Sequence, residues 1–256
     1  MSDTLRPAIA GDFLSLLAQH QLAPLRVDAA AAPVPTQGTT VLAFHFRDGV
    51  LMAGDRRATA GNVIVTDRIE KVLELDGTSL LAIAGVPAVA FEMARTLQTS
   101  FEYYRRSQLQ PLSLPARVRA LARLLRENLP MTLQGVGVVA PLFAGLDTAA
   151  KPARPQIYFY DPLGAQFQAT GFAASGSGSG TIRSVLSHQE RFGQPRPGEL
   201  DRRGAVRLAL QLLMTAAEHD SATGGVAPEQ ARYATIRVLT TDGVAEVTEQ
   251  EQGEAL

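Results

Sequence analysis

The sequence contains no cysteine and no apolar run that approaches the roughly 20 residues needed to cross a bilayer. Without cysteine there can be no disulfide, no thiol nucleophile and no cysteine-rich metal site, a usage that suits a reducing cytoplasm. An excess of charge of one sign is missing too. Lys and Arg, at 24, nearly cancel Asp and Glu, at 25, so no overall field favours binding to nucleic acid or to an anionic membrane. Met1 to Gln21 carries Asp3 and Asp12 and only the short apolar patch Phe13-Leu14-Ser15-Leu16-Leu17, which lacks the basic start and full apolar core of a secretory signal. His20, His45, His188 and His219 have no metal-binding spacing, and neither a metal nor another cofactor is expected.

What is present is an ordinary globular composition. A chain of 256 residues with 46% hydrophobic content can bury the core of one large domain or two small ones. Residues 1–38 differ from the rest: a short amphipathic stretch around Phe13 to Leu22 precedes an Ala/Pro-rich tract from Ala23 to Pro35, which reads as a removable or flexible leader. From Thr39 onward the signals are those of paired strands. Thr40 to Phe46 and Val50 to Ala53 flank the turn Arg47-Asp48-Gly49, Asn62 to Leu75 carries strand-like runs, and Leu80 to Ala84 reads as a buried strand ending at Gly85.

Two helices follow, one with Ala90, Ala94, Leu97, Phe101 and Tyr104 on a face, the other with Leu114, Val118, Leu121 and Leu125. Strand patterns resume over Val136 to Ala144, Gln156 to Tyr160 and Ala165 to Gly171, the last two joined by Asp161-Pro162-Leu163-Gly164. Helical patterns return over Thr181 to Phe192 and Gly204 to Ala217, and a last hairpin joins Thr235–Thr240 to Val244–Thr248 through Asp242-Gly243. This order, with its hairpins, predicts α+β packing on antiparallel sheets. The polar residues Glu249 to Leu256 are expected to form a mobile tail.

Gly38-Thr39-Thr40 is the stretch with the most chemical content. A threonine that opens a strand after glycine can become a new N-terminus, and a free α-amine, with a reference pKa of roughly 8, can take the proton of its own hydroxyl. The plain alternative is a β-branched pair at a strand start. Such a site needs a cation near the amine, an oxyanion donor and groups that hold the amine. Asp55 in Gly54-Asp55-Arg56-Arg57-Ala58-Thr59 and Lys71 in Ile69-Glu70-Lys71-Val72 are candidates, although Gly-Asp is also a common turn and a lysine between apolar neighbours usually faces solvent. Ser175-Gly176-Ser177-Gly178-Ser179-Gly180 could cradle a phosphate, but no Gly-Lys-Ser/Thr follows and Arg183 is a poor substitute. Asp220-Ser221-Ala222-Thr223-Gly224-Gly225 follows an apolar helix and reads equally as a C-terminal cap with a left-handed glycine.

Taken in order, these motifs together with Ala82-Ile83-Ala84-Gly85 and Met131-Thr132-Leu133-Gln134-Gly135 resemble the catalytic β-subunit of the proteasome core particle, in its bacterial, actinobacterial-type branch, from Gly38 to about Val247. The resemblance implies the N-terminal-nucleophile hydrolase fold, a four-layer αββα sandwich of two antiparallel sheets flanked by helices. It implies a propeptide, residues 1–38, cut away between Gly38 and Thr39; a catalytic domain, 39–248; and the tail 249–256. Thr39 matches the nucleophile, Lys71 the buried lysine that depresses the amine pKa, Asp55 its carboxylate partner, and Gly85 the oxyanion donor through its N–H. Ser177, Asp220 and Thr223 match the group around the threonine amine. Ala58, Thr59, Ile69, Leu73, Ile83 and Pro87 match the substrate pocket, and their mostly apolar character predicts cleavage after bulky apolar residues. Val86-Pro87 stands where the family more often has small residues, and Pro87 is expected to start a helix beside that pocket.

The activity so implied is that of a cytoplasmic threonine endopeptidase degrading unfolded polypeptides inside stacked rings. Its implied partners are copies of itself in heptameric rings, rings of a proteasome α-subunit and a ring-shaped ATPase unfoldase. Alternatives are a two-ring threonine peptidase with its own unfoldase, a non-catalytic ring subunit and a small-molecule amidase with an N-terminal nucleophile. Removing 38 residues from 256 leaves 218, a length that favours the proteasome over the two-ring enzyme.

Overall fold

The computed structural model describes residues 38–60, 63–230 and 232–256. The turn signals become hairpins. Strands β1 (Thr40–Phe46) and β2 (Gly49–Gly54) pair antiparallel about Arg47-Asp48, with Val41 opposite Gly54 and Phe46 opposite Gly49. β3 (Ala58–Ala60) and β4 (Val63–Thr66) form a separate two-stranded ribbon. β5 (Val72–Asp76) and β6 (Ser79–Ala82) make the next hairpin.

The helices α1 (Pro87–Gln108), α2 (Leu114–Glu127) and the short α3 (Leu129–Leu133) come next. They lead to β7 (Leu142–Leu146), β8 (Pro155–Tyr160), β9 (Gln166–Ala169) and β10 (Phe172–Gly176). Then follow α4 (Ser179–Phe192), α5 (Arg202–His219), β11 (Thr235–Thr240), β12 (Gly243–Glu246) and α6 (Glu249–Ala255).

The strands assemble into two five-stranded antiparallel sheets, ordered β10-β1-β2-β11-β12 and β5-β6-β7-β8-β9. Alternation along each strand divides the core into three slabs. Val41, Ala43, Val50 and Met52 of the first sheet meet Val72, Leu80, Leu142 and Ile157 of the second in the central slab. Leu42, Phe44, Leu51 and Ala53 face the other way, against Ile182 and Leu186 of α4 and Val206, Leu210 and Leu213 of α5. Leu81 and Phe143 of the second sheet pack against Ala90, Leu97 and Phe101 of α1 and Leu121 and Leu125 of α2. These are the four layers, helix, sheet, sheet, helix, of the expected α+β sandwich. No helix of the described residues is long and apolar enough to cross a membrane.

Three expectations are corrected. The strand expected over Val136 to Ala144 begins only at Leu142, and Leu129–Leu133 before it is helical. The strand expected over Ala165 to Gly171 is the shorter β9, and a further strand, β10, runs into the Gly/Ser-rich stretch and pairs with β1 from Thr40 opposite Gly176 to Phe44 opposite Phe172. Glu249 to Ala255 is a docked helix rather than a mobile tail. Thr248 accepts the Glu251 N–H as its cap, Arg202 holds Glu251 through two hydrogen bonds, and the buried Gln252 exchanges hydrogen bonds with the backbone of Ala234.

Candidate active site

Thr39 sits one residue before β1, and the start of that strand is gripped on both sides. On one side β2 ends at Gly54 and delivers Asp55; on the other β10 ends at Gly176 and delivers Ser177. Gly176 has φ +94°, and a Cβ there would run into the Thr39 carbonyl, so only glycine lets the two backbones approach. The approach places Ser177 N–H on the Thr39 oxygen at 3.0 Å.

Lys71 precedes β5 in the second sheet and reaches across to the first. Its side chain and that of Asp55 are sealed from solvent, at 1% and 0% exposure, with Nζ 2.6 Å from Asp55 Oδ1. Asp55 uses both oxygens fully. Oδ1 also accepts from Thr40 N–H at 2.9 Å, and Oδ2 accepts from Arg57 N–H at 2.9 Å and Gly224 N–H at 2.8 Å. Burial lowers the Lys71 pKa from its usual value, against the opposing pull of Asp55. A lysine expected by its neighbours to face solvent is therefore among the most buried groups in the fold.

Nζ of Lys71 has a second contact, 3.4 Å to the carbonyl oxygen of Gly38. The same oxygen accepts the hydroxyl proton of Thr39 at 2.8 Å. The Gly38 carbonyl thus receives two donors, and both polarise it toward nucleophilic addition.

Asp220 caps the end of α5 from outside and accepts from Ser177 Oγ at 2.6 Å and Thr223 Oγ1 at 2.5 Å. Partial burial pushes its pKa up, but the hydrogen bonds from Ser177, Thr223 and the Ala222 N–H outweigh burial and hold it below the ordinary value. The expected left-handed glycine after this helix is not what forms. Gly224 and Gly225 are absent from the positive-φ residues, and Gly224 is instead pressed against Arg57 Cβ with its N–H on Asp55.

Thr40 was not expected to matter beyond its strand. Its fully buried hydroxyl lies 2.6 Å from Thr223 Oγ1 and accepts from Gly178 N–H at 3.0 Å, tying β1 to the Ser177 turn and to the loop after α5. Arg57 makes a related clamp, from its Nε to Asp67 at 2.9 Å and from a terminal nitrogen to Ser221 O at 3.3 Å. The Thr40–Thr223 and Arg57–Ser221 contacts have no local sequence signal, since their partners lie 183 and 164 positions along the chain.

Gly85 follows β6 and bridges Val139, with hydrogen bonds from Val86 N–H to Val138 O and Ala140 N–H to Ala84 O. In that pattern the Gly85 N–H points away from Val139. Its φ of +114° and the Val138 carbonyl lying where a Cβ would go explain why the residue is glycine. The required space faces Val138.

Of the pocket candidates, Ala58, Thr59 and Ile83 are buried, while Ile69, Leu73 and Pro87 are half-buried. Ile69 N–H bonds Arg56 O, and Ile83 N–H bonds Lys71 O, which sets Ile83 beside Lys71. Ile83 and Leu73 belong to the core slab beneath α1, and Pro87 starts that helix with Val86 as its cap. Among the described residues no group of three His, Asp or Glu side chains is arranged to hold a metal ion.

Two antiparallel sheets between helix layers, with a threonine at the head of the first strand and a buried lysine on the carbonyl that precedes it, define the N-terminal-nucleophile hydrolase class of fold. Comparison with known proteins narrows the class. The family described as Proteasome subunit matches residues 36–227. "Proteasome subunit beta 2" of Thermomonospora curvata is 40% identical over 249 residues, covering 94% of this chain and 85% of its own. "Proteasome subunit beta" of Acidimicrobium ferrooxidans is 38% identical over 234 residues, with coverages of 91% and 82%. "Proteasome subunit beta 1" of Streptomyces avermitilis is 40% identical over 238 residues, with coverages of 93% and 81%. The chain belongs to the proteasome subunit family.

Proposed function

We propose that this chain is a catalytic β-subunit of a proteasome core particle, a threonine endopeptidase that activates itself by cutting between Gly38 and Thr39. The observation that carries the reading is the Gly38 carbonyl oxygen, which accepts hydrogen bonds from the Thr39 hydroxyl at 2.8 Å and from Lys71 Nζ at 3.4 Å while Asp55 anchors that ammonium at 2.6 Å.

In self-cleavage the Thr39 oxygen adds to the Gly38 carbonyl carbon, and the π pair moves onto an oxygen that Lys71 stabilises. The C–N bond breaks, the Thr39 nitrogen leaves as an amine with the proton lost by the hydroxyl, and an ester joins Gly38 to Thr39 Oγ. Water hydrolyses the ester to a Gly38 carboxylate and a free Thr39. The released amine then serves as base for the hydroxyl beside it, its pKa depressed by the Lys71 charge. Asp220 and Ser177 orient that amine, and the Gly85 N–H receives the oxyanion of a substrate.

Family membership supports the remaining parts of the proposal. Copies of this chain form heptameric rings in the cytoplasm, stacked against rings of an α-subunit and fed unfolded polypeptides by an ATPase ring. The lining of Ala58, Ile69, Leu73, Ile83 and Pro87 favours cleavage after bulky apolar residues. A panel of fluorogenic peptides reads this directly, and faster cleavage after acidic than after aromatic residues overturns it.

The deciding experiment is the N-terminus and intact mass of the chain co-expressed with an α-subunit. The expected product begins at Thr39, and Thr39→Ala is expected to abolish both maturation and peptide hydrolysis. A Thr39→Ala protein that hydrolyses peptides at the wild-type rate refutes the mechanism, and an unprocessed wild-type chain without peptidase activity favours a non-catalytic ring subunit.

A further inference from the structure

Gly38 is boxed in. A Cβ built on it would overlap Thr59 Oγ1 and would stand 3.1 Å from both Cβ and O of Ala222. The restriction is one of space, because Gly38 is not among the glycines with positive φ. The wall on the Ala222 side could yield by a few tenths of an ångström. The wall on the Thr59 side cannot do so as easily. Thr59 is buried in β3, paired with Ile64 of β4, and β-branched side chains are stiff about χ1. In the three staggered settings of a threonine the place of Oγ1 is taken by the hydroxyl, the methyl or a hydrogen, and only the last makes room.

We infer that Thr59 is a specificity-determining residue for self-cleavage, confining the residue before the cut to glycine. The inference rests on the self-cleaving reading above and deepens it. One nucleophile then acts under opposite size rules. On its own leader it accepts no side chain before the scissile bond, whereas on substrates it accepts a bulky apolar one, lodged toward Ile83 and Leu73. The leader and a substrate therefore place the residue before the scissile bond in different orientations, and Thr59 separates the two.

The test follows the loss of residues 1–38 by intact mass in the full-length chain assembled with an α-subunit. Gly38→Ala is expected to mature about ten- to a hundredfold more slowly than wild type, the range set by forcing a methyl into filled space. Gly38→Val and Gly38→Leu are expected to be slower again. In a Thr59→Ala or Thr59→Ser background the same Gly38→Ala change is expected to cost only a few-fold, each background being compared with its own Gly38 parent. Thr59→Val, which keeps the branched shape, is expected to give no relief. A wild-type chain that keeps residues 1–38 overturns both the self-cleaving reading and this inference. If wild type matures but Gly38→Leu matures as fast, or if Gly38→Ala is slowed equally with Thr59 and with Ala or Ser in its place, this inference alone is overturned.

Discussion

The Thr40 hydroxyl has a proton with one useful destination. An ionised Asp220 can only accept, so the hydroxyls of Ser177 and Thr223 both donate to its Oδ2. Thr223 has then spent its proton, and the 2.6 Å contact requires Thr40 to donate while its own oxygen accepts from Gly178 N–H. The result is a one-way chain from Gly178 through Thr40 and Thr223 to Asp220. Thr40→Val leaves the Gly178 N–H without its acceptor and the Thr223 oxygen without its donor, and is expected to cost about 1–3 kcal/mol in denaturant unfolding. Maturation should slow with it, and Thr40→Ser, which restores the hydroxyl, should recover both. The hydrogen bonds to Asp220 also fix a pH dependence. With its folded pKa below the ordinary value, their contribution to stability is present above the usual carboxylate range and lost as pH falls through the lowered value. On the proposed mechanism Asp220 is ionised before a freed Thr39 amine loses its proton, which assigns the acid limb of kcat/KM to that amine. Replacing Asp220 by Asn removes a negative charge that favours the ammonium form. The limb is expected to move to lower pH in a peptide-hydrolysis profile, while a shift to higher pH would refute the assignment.

At the scale of elements, α6 tests how far a polar segment contributes to a fold. Its sequence, Glu-Gln-Glu-Gln-Gly-Glu-Ala, has no apolar stripe, yet it is fastened by Arg202 to Glu251, by Arg207 Nε to Ala255 O at 2.6 Å and by buried Gln252. Thr248→Ala removes the N-cap and is expected to cost about 1 kcal/mol in thermal or denaturant unfolding, with peptide hydrolysis retained. The same helix shows what the sequence hides. Hairpins around Arg47-Asp48-Gly49 and Asp242-Gly243 are legible because turn residues and alternation are local signals. The docking of α6 is not, since the arginines that hold it lie about 50 positions upstream, as with Arg202 and Glu251 at a separation of 49. β10 is hidden for another reason: Phe-Ala-Ala-Ser-Gly is too short and small-sided to show alternation, and it becomes a strand through pairing with β1. The candidate site divides likewise. Thr39, Asp55 and Lys71 stand in compact motifs, each plain by itself and legible through their order along the chain, whereas the roles of Thr40 and Arg57 exist only once loops separated by more than a hundred residues have met.

For the molecule as a whole, the consequential fact is that the candidate site straddles the two sheets. Thr39, Asp55 and Ser177 are delivered by β1, β2 and β10 of one sheet, whereas Lys71 and Gly85 flank β5 and β6 of the other. The Lys71–Asp55 pair and the contact of Lys71 with the Gly38 carbonyl therefore depend on how the sheets are seated, and the central slab sets that seating. Two leucines separate this effect from general stability. Leu80 of β6 is fully buried in the central slab, and Leu210 of α5 is fully buried in the outer slab beneath the first sheet. Truncation of either to alanine removes the same atoms and is expected to cost about 2–5 kcal/mol. If cavity formation alone mattered, maturation and peptide hydrolysis would fall in step with stability in both variants. Relaxation around Leu80→Ala moves one sheet against the other, and positioning errors near 1 Å at a reacting group can cost about a hundredfold. Leu80→Ala is thus expected to mature and turn over more slowly than Leu210→Ala at matched stability, measured under conditions where both are fully folded. Equal rates in the two variants would mean that the lysine and carboxylate are held by their own hydrogen bonds, independently of the slab between the sheets.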